Sequence, residues 1–317
     1  MATQASAAPP VVGIHENVLA RHPLISFIII AFAGTWLVEL PLLLSKDGAG
    51  LLPFSSPLLI WTLPVGVYLG PFLAAFVVTG ITEGRAGIRH LLRRIVLWRV
   101  GLRWYLFALI GIPLILLLGA IVLPGALASF QGLALTIVPG YLWTFAYVVL
   151  LGGGLNEEVG WRGFALPRLQ ALHGPLVGSL ILGPVWALWH LPLFFMLFWD
   201  TPPSMLNFVL FLLACIFNTI MLTWLFNNTK GSVLLTILGH SSINTTYATL
   251  ALLYSASIVT GHGGLVPIVI GVGAVSVLLV VLTRGRLGYQ RYRQDVLVPA
   301  TAHGNIADEI IEGQEGA

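Results

Sequence analysis

Apolar stretches of about 20 residues recur along this chain, and each is long enough to cross the hydrocarbon core of a bilayer as a helix. Eight can be read, over roughly 23–44, 57–81, 103–124, 139–161, 175–199, 204–227, 231–254 and 264–283. That series leaves lipid as the solvent for most of the chain. In lipid every backbone polar group must be bonded within its own segment, so the expected fold class is all-α. Composition agrees: 57% of residues are hydrophobic and only 9% charged, and the mean hydropathy of +0.94 is far above that of a soluble globular domain. The spans follow one another too closely for a second soluble domain. One polytopic eight-helix bundle is expected over 21–293. The first 20 residues, beginning "MATQASAAPPVVG", and the acidic segment 294–317 read as disordered tails. A cleavable signal peptide is not expected, because the first apolar run follows Arg21 and is too long for one. With one cysteine, Cys215, no disulfide can form within the chain, and a packed thiol is expected there.

Charge orients the bundle. Eight crossings put both termini on one side, and fourteen of the fifteen Lys and Arg residues fall on that side, leaving Lys46 opposite. The excess of basic residues marks that side as cytoplasmic. Both termini are therefore expected to be cytoplasmic, in an integral membrane protein whose expected membrane is the bacterial plasma membrane. The formal net charge of +3 then reflects topology and contact with anionic lipid, and no nucleic-acid partner is expected. The stretch "RAGIRHLLRRIVLWRVGLRW", 85–104, reads as an amphipathic helix on the cytoplasmic surface with its arginines among the headgroups. "LGGGL", 151–155, reads as a place where a neighbouring helix approaches closely.

Against this background the ionisable residues inside the spans stand out, since each costs about 2.5–3.5 kcal/mol to insert. They are Glu39, Glu157, Glu158, Arg162, His190 and His240. Glu39, towards the outer end of the first span, is expected at the interface or paired with a neighbour. The others fall at similar depth on three helices. Span four delivers Glu157 to the inner half, while His190 lies about 20 Å along span five and His240 about 14 Å along span seven. Packed together, these helices make the groups converge.

Helical spacing assigns roles. Glu158 and Arg162 are four residues apart and can form an ion pair on one face. Glu157 is turned about 100° away, has no partner in its own helix, and suits a general base or acid. His240 and Asn244 again share a face and can both donate to a developing oxyanion. A polar seam between helices is the plainer reading of the same residues. An ion pathway is another.

At these positions the chain resembles the CPBP family of intramembrane proteases, the CAAX-protease and bacteriocin-processing or Abi family. The family's motifs EExxxR, FxxxH and HxxxN read here as Glu157-Glu158-Val-Gly-Trp-Arg162, Trp186-Ala-Leu-Trp-His190 and His240-Ser-Ser-Ile-Asn244. Trp186 stands where phenylalanine is usual, one aromatic for another. The resemblance covers roughly 82–250, with its motif core in 139–250.

It implies an eight-helix peptidase with an intramembrane cavity open to the cytoplasm, acting on a peptide or a lipid-modified, CAAX-like protein substrate among membrane lipids. Glu157 and His190 would activate the attacking water, His240 and Asn244 would hold the oxyanion, and Glu158 and Arg162 would support them. Two chemistries stay open. One needs no cofactor; in the other His190, His240 and Glu157 ligate zinc. The spacing of His240 and Asn244 leans to the first, because Asn is a poor zinc ligand. A non-catalytic bacteriocin-immunity or peptide-binding protein and a proton-coupled transporter remain as alternatives.

Overall fold

The computed structural model describes residues 18–132, 134–196, 204–254 and 264–297. Most of both expected tails lies outside these residues. The described chain is helical, with no strand, and its long helices are α1 (Pro23–Leu44), α2 (Pro57–Ile95), α3 (Leu102–Ile121), α4 (Ile137–His173), α5 (Pro175–Phe195), α6 (Met205–Asn228), α7 (Val233–Leu253) and α8 (Leu265–Thr283). All of them except α7 are long and apolar enough to cross a bilayer. Large side chains such as Trp143, Leu114 and Leu282 point outward, as expected where the surrounding medium is hydrocarbon.

α7 differs for a physical reason. Its middle carries Thr236, His240, Ser241, Ser242, Thr245 and Thr246, all buried, and it packs against α3, α4 and α6. Neighbouring helices shelter its polar face from lipid, so it can afford less apolar surface than the others.

Two helices run past the expected spans. α2 passes through a π turn at Tyr68–Phe72, around Pro71, and bends at Gly84, whose φ is +61. Beyond this bend the basic segment is helical only to Ile95, and the chain is non-helical from 96 to 101, so 85–104 is not one continuous helix. Arg85, Arg89 and Arg93 are exposed as expected, but Arg94 is not among the headgroups. It is 7% exposed and lies under the bundle, with its guanidinium over the ring of Phe226. Its Nε donates to Gly231 O at 3.0 Å, Nη1 to Gly163 O at 3.2 Å and Nη2 to Arg162 O at 3.2 Å. The π turn Trp161–Ala165 in α4 spoils the regular ladder around the last two of these carbonyls, and a planar guanidinium can serve both at once.

Glu39 also departs from expectation. Ala31, Thr35 and Glu39 lie at four-residue intervals on the face of α1 that packs against α2. Glu39 is only 3% exposed and lies over Gly66 of α2, which places it in the interior instead of at the interface. Cys215 is buried in the core with α4 and α5 residues, as expected of a packed thiol.

Candidate active site

α4 breaks once. Its first helical run ends at Leu150, and a new one starts at Gly154. Asn156 ties the break: its Oδ1 accepts the Gly153 N–H at 3.1 Å and its Nδ2 donates to Leu151 O at 3.4 Å. Gly153 has φ +108, a conformation that a residue with a Cβ adopts only under strain. At Gly154 a Cβ would meet Ser241 Oγ at 2.6 Å, so the close approach expected of "LGGGL" is the approach of α7.

The break aims the glutamates that follow. Glu158 and Arg162 are both fully buried, and Nη1 of Arg162 donates to Glu158 Oε1 at 2.6 Å. The i,i+4 pair is thus formed across the start of the π turn. Nη2 reaches α6, donating to Thr219 Oγ1 at 3.2 Å, and the guanidinium lies 4.6 Å from the ring centre of Trp186. Glu158 does more than neutralise Arg162. Its Oε1 also bonds Nδ1 of His240 at 2.8 Å.

Glu157 turns to α5 instead. Its Oε2 accepts the indole N–H of Trp186 at 2.6 Å, and its Oε1 stands 4.0 Å from Nε2 of His190. His190 Nδ1 lies 2.9 Å from the carbonyl oxygen of Trp186. A carbonyl only accepts, so Nδ1 carries a proton, and when the ring is neutral Nε2 presents its lone pair on the side of Glu157. A separation of 4.0 Å is too long for a direct bond, and suits a water held by both.

On α7, Asn244 Nδ2 donates to Gly152 O at 3.2 Å and lies 3.1 Å from His240 Nε2. Since the amide nitrogen donates, Nε2 accepts and Nδ1 is the His240 nitrogen that donates to Glu158. The two groups expected to share an oxyanion are therefore adjacent, and bonded to each other.

The three zinc candidates share one junction but do not converge on one point. Both ring nitrogens of His240 are taken by Glu158 and Asn244, and His190 and Glu157 are 4.0 Å apart. Among the described residues no three His, Cys, Asp or Glu side chains stand where they could hold one ion. The residues as arranged do not fit the metal.

All six expected site residues therefore meet at the junction of α4, α5 and α7. Sequence reasoning missed three contributors. Asn156 was signalled by its place three residues after Gly153, where a side chain can close a helix start. Trp186 was visible only as an aromatic, and Thr219 had no local signal at all.

Gly153 sets the space at the centre. A Cβ there would lie 2.7 Å from Glu157 Oε1 and 3.0 Å from His240 Nε2, so only the absence of a side chain keeps the gap between these atoms open. Gly153→Ala is expected to reduce turnover by about 100-fold, the scale of an ångström of misplacement. Kinetics on folded, purified protein check this; wild-type turnover would show that the gap is not used.

Residues 139–246 match the family model described as Type II CAAX prenyl endopeptidase Rce1-like, and all three motifs lie within that segment. The CAAX prenyl protease 2 of Methanococcus maripaludis is 32% identical over 118 residues, which cover 35% of this chain and 42% of the relative. The chain thus aligns with less than half of that relative's length.

Proposed function

On the premise that this chain belongs to the CPBP family, as its motifs and both comparisons support, we propose that it is an intramembrane endopeptidase. Its substrate is a membrane-associated or lipid-modified protein of the CAAX kind, cleaved near its C-terminus. The observation that carries the reading is the pairing of Glu157 Oε1 with His190 Nε2 across 4.0 Å, in a buried site where only a glycine fits at 153.

Water between those atoms gives a proton to Glu157 Oε1 as its oxygen attacks the scissile carbonyl. The carbonyl oxygen becomes the oxyanion and takes an N–H of Asn244, in place of a bond that Asn244 makes to Gly152 or His240. His240, whose Nε2 accepts from Asn244 and so has no N–H to offer the oxyanion, orients the Asn244 amide and is itself held by Glu158. As the intermediate collapses, the proton on Glu157 passes to the leaving amine. The C–N bond breaks, and the carboxylate is restored.

The chemistry proposed needs no metal. Hydrolysis of a farnesylated peptide with a CAAX-type C-terminus, read by product mass, tests the function, with Glu157→Ala as the blank. No wild-type turnover above that blank, on this or an unmodified peptide, would leave a binding or transport role instead. Elemental analysis of the active preparation is expected to find no stoichiometric zinc. One zinc per chain, with activity lost on its removal and restored on its return, would overturn the metal-free route.

The distribution of basic residues supports a cytoplasmic position for both termini, the side from which the substrate's C-terminus would enter. His90 and Gln290 are exposed and Cys215 is buried. Single cysteines at 90 and 290, in a Cys215→Ser background, should react with an impermeant maleimide only after cells are opened. Reaction in intact cells would reverse the orientation.

A further inference from the structure

A carboxylate base has two oxygens, and a buried site must decide which of them takes the proton. Here the decision lies with a residue outside the expected catalytic set. The indole N–H of Trp186 donates to Glu157 Oε2 at 2.6 Å. An indole nitrogen has no acceptor capacity, so Oε2 must be the accepting partner whichever protonation state Glu157 is in. That engages one lone pair of Oε2 and turns the oxygen towards the Trp186 ring, away from the water. Oε1 is left facing His190 and the gap beside Gly153.

The ring is itself held. Arg162 lies over it, 4.6 Å from its centre, and the His240 ring meets it edge-on at 5.3 Å. The backbone of the same residue orients His190, since its carbonyl accepts Nδ1–H at 2.9 Å. One residue therefore touches both members of the water-activating pair, Glu157 through its side chain and His190 through its carbonyl. Phenylalanine, the usual residue at this motif position, could supply the ring and the carbonyl but not the N–H.

We propose that Trp186 is a positioning residue whose indole N–H holds Glu157 Oε2 and thereby selects Oε1 as the oxygen that accepts the proton from water. This rests on the reading of Glu157 as the base.

The test removes the N–H and keeps the shape. Trp186 is replaced by β-(3-benzothienyl)alanine, in which sulfur stands for the N–H, and in parallel by phenylalanine. Glu157→Gln is measured beside them on the same farnesylated peptide. A hydrogen bond to a charged group predicts that the benzothienyl protein loses about 10- to 100-fold in kcat with KM nearly unchanged. Loss of the bond lowers the thermal midpoint as well, so kcat is compared at a temperature where both proteins are fully folded; a purely packing role would lower the midpoint and leave kcat at the wild-type value. Trp186→Phe should show the same loss; if it fails to fold, the isosteric protein alone decides. Wild-type kcat in the benzothienyl protein, with Glu157→Gln inactive, overturns the proposal and leaves the base assignment standing. A rise in KM at constant kcat overturns it too, because it marks contact with substrate. Full activity in Glu157→Gln sinks the base assignment itself, whatever Trp186 does.

Discussion

Glu158→Gln is expected to destabilise the protein by about 3–5 kcal/mol, because it leaves a buried guanidinium without its counter-charge. Glu158 and Arg162 are both 0% exposed and bond at 2.6 Å, and the remaining polar contact of that guanidinium is the neutral hydroxyl of Thr219. Glutamine can still accept a hydrogen bond, but it cannot balance the charge. The same change loosens His240, whose Nδ1 donates to the carboxylate oxygen used by Arg162. Folding and activity should therefore separate in a second variant. Replacing Glu158 and Arg162 together by leucine and methionine removes the unpaired charge, so the fold should recover most of the loss. Activity should stay low, because His240 still lacks its anchor. Unfolding midpoints in detergent, measured beside turnover, give both readings. A double variant no better folded than Glu158→Gln alone would refute the ion-pair assignment.

Glu157→Gln should do the reverse. Its neighbour's charge balance is untouched, and the amide oxygen can still accept the Trp186 N–H, so the fold should hold. What is lost is the group that takes the proton from water, and turnover is expected to fall by about 10²- to 10⁴-fold. The readings are kcat on the farnesylated peptide and the unfolding midpoint. A variant that keeps wild-type kcat would remove Glu157 from the chemistry. One that loses activity only because it unfolds would assign it a structural role.

The contrast between these two adjacent glutamates was legible in the sequence up to a point. Four-residue spacing binds Glu158 to Arg162, and a helical offset of about 100° sends Glu157 elsewhere. Where it goes depends on the neighbour. Trp186 lies 29 residues away on α5, and its bond to Glu157 exists only because the break at Gly153 and Asn156 aims the second half of α4 at α5. His240 shows the same limit. Its partnership with Asn244 follows from spacing within one helix, whereas its bond to Glu158 spans 82 residues and depends on how closely α7 packs at Gly154.

Arg94 and Glu39 mark where local reasoning went wrong. A basic run beside a span points to headgroups, and Arg85, Arg89 and Arg93 are exposed, as that reading requires. For Arg94 the carbonyls of Arg162, Gly163 and Gly231 compete with lipid phosphate and win, since all three converge on one guanidinium at the end of the bundle. Glu39 was assigned by depth along its helix. Its burial is decided by which face of α1 meets α2.

The sequence by itself determined the solvent, and with it the helical class and the approximate position of the long helices, because bilayer thickness and helix rise convert residue counts directly into distance. It also determined the pairs formed within one turn of helix. Only the tertiary structure decided which helices meet, which oxygen of each glutamate is engaged, and that α7 is shielded from lipid. Those outcomes depend on packing between segments far apart in the chain, where a glycine break or a π turn changes the direction of a side chain without changing its place in the sequence.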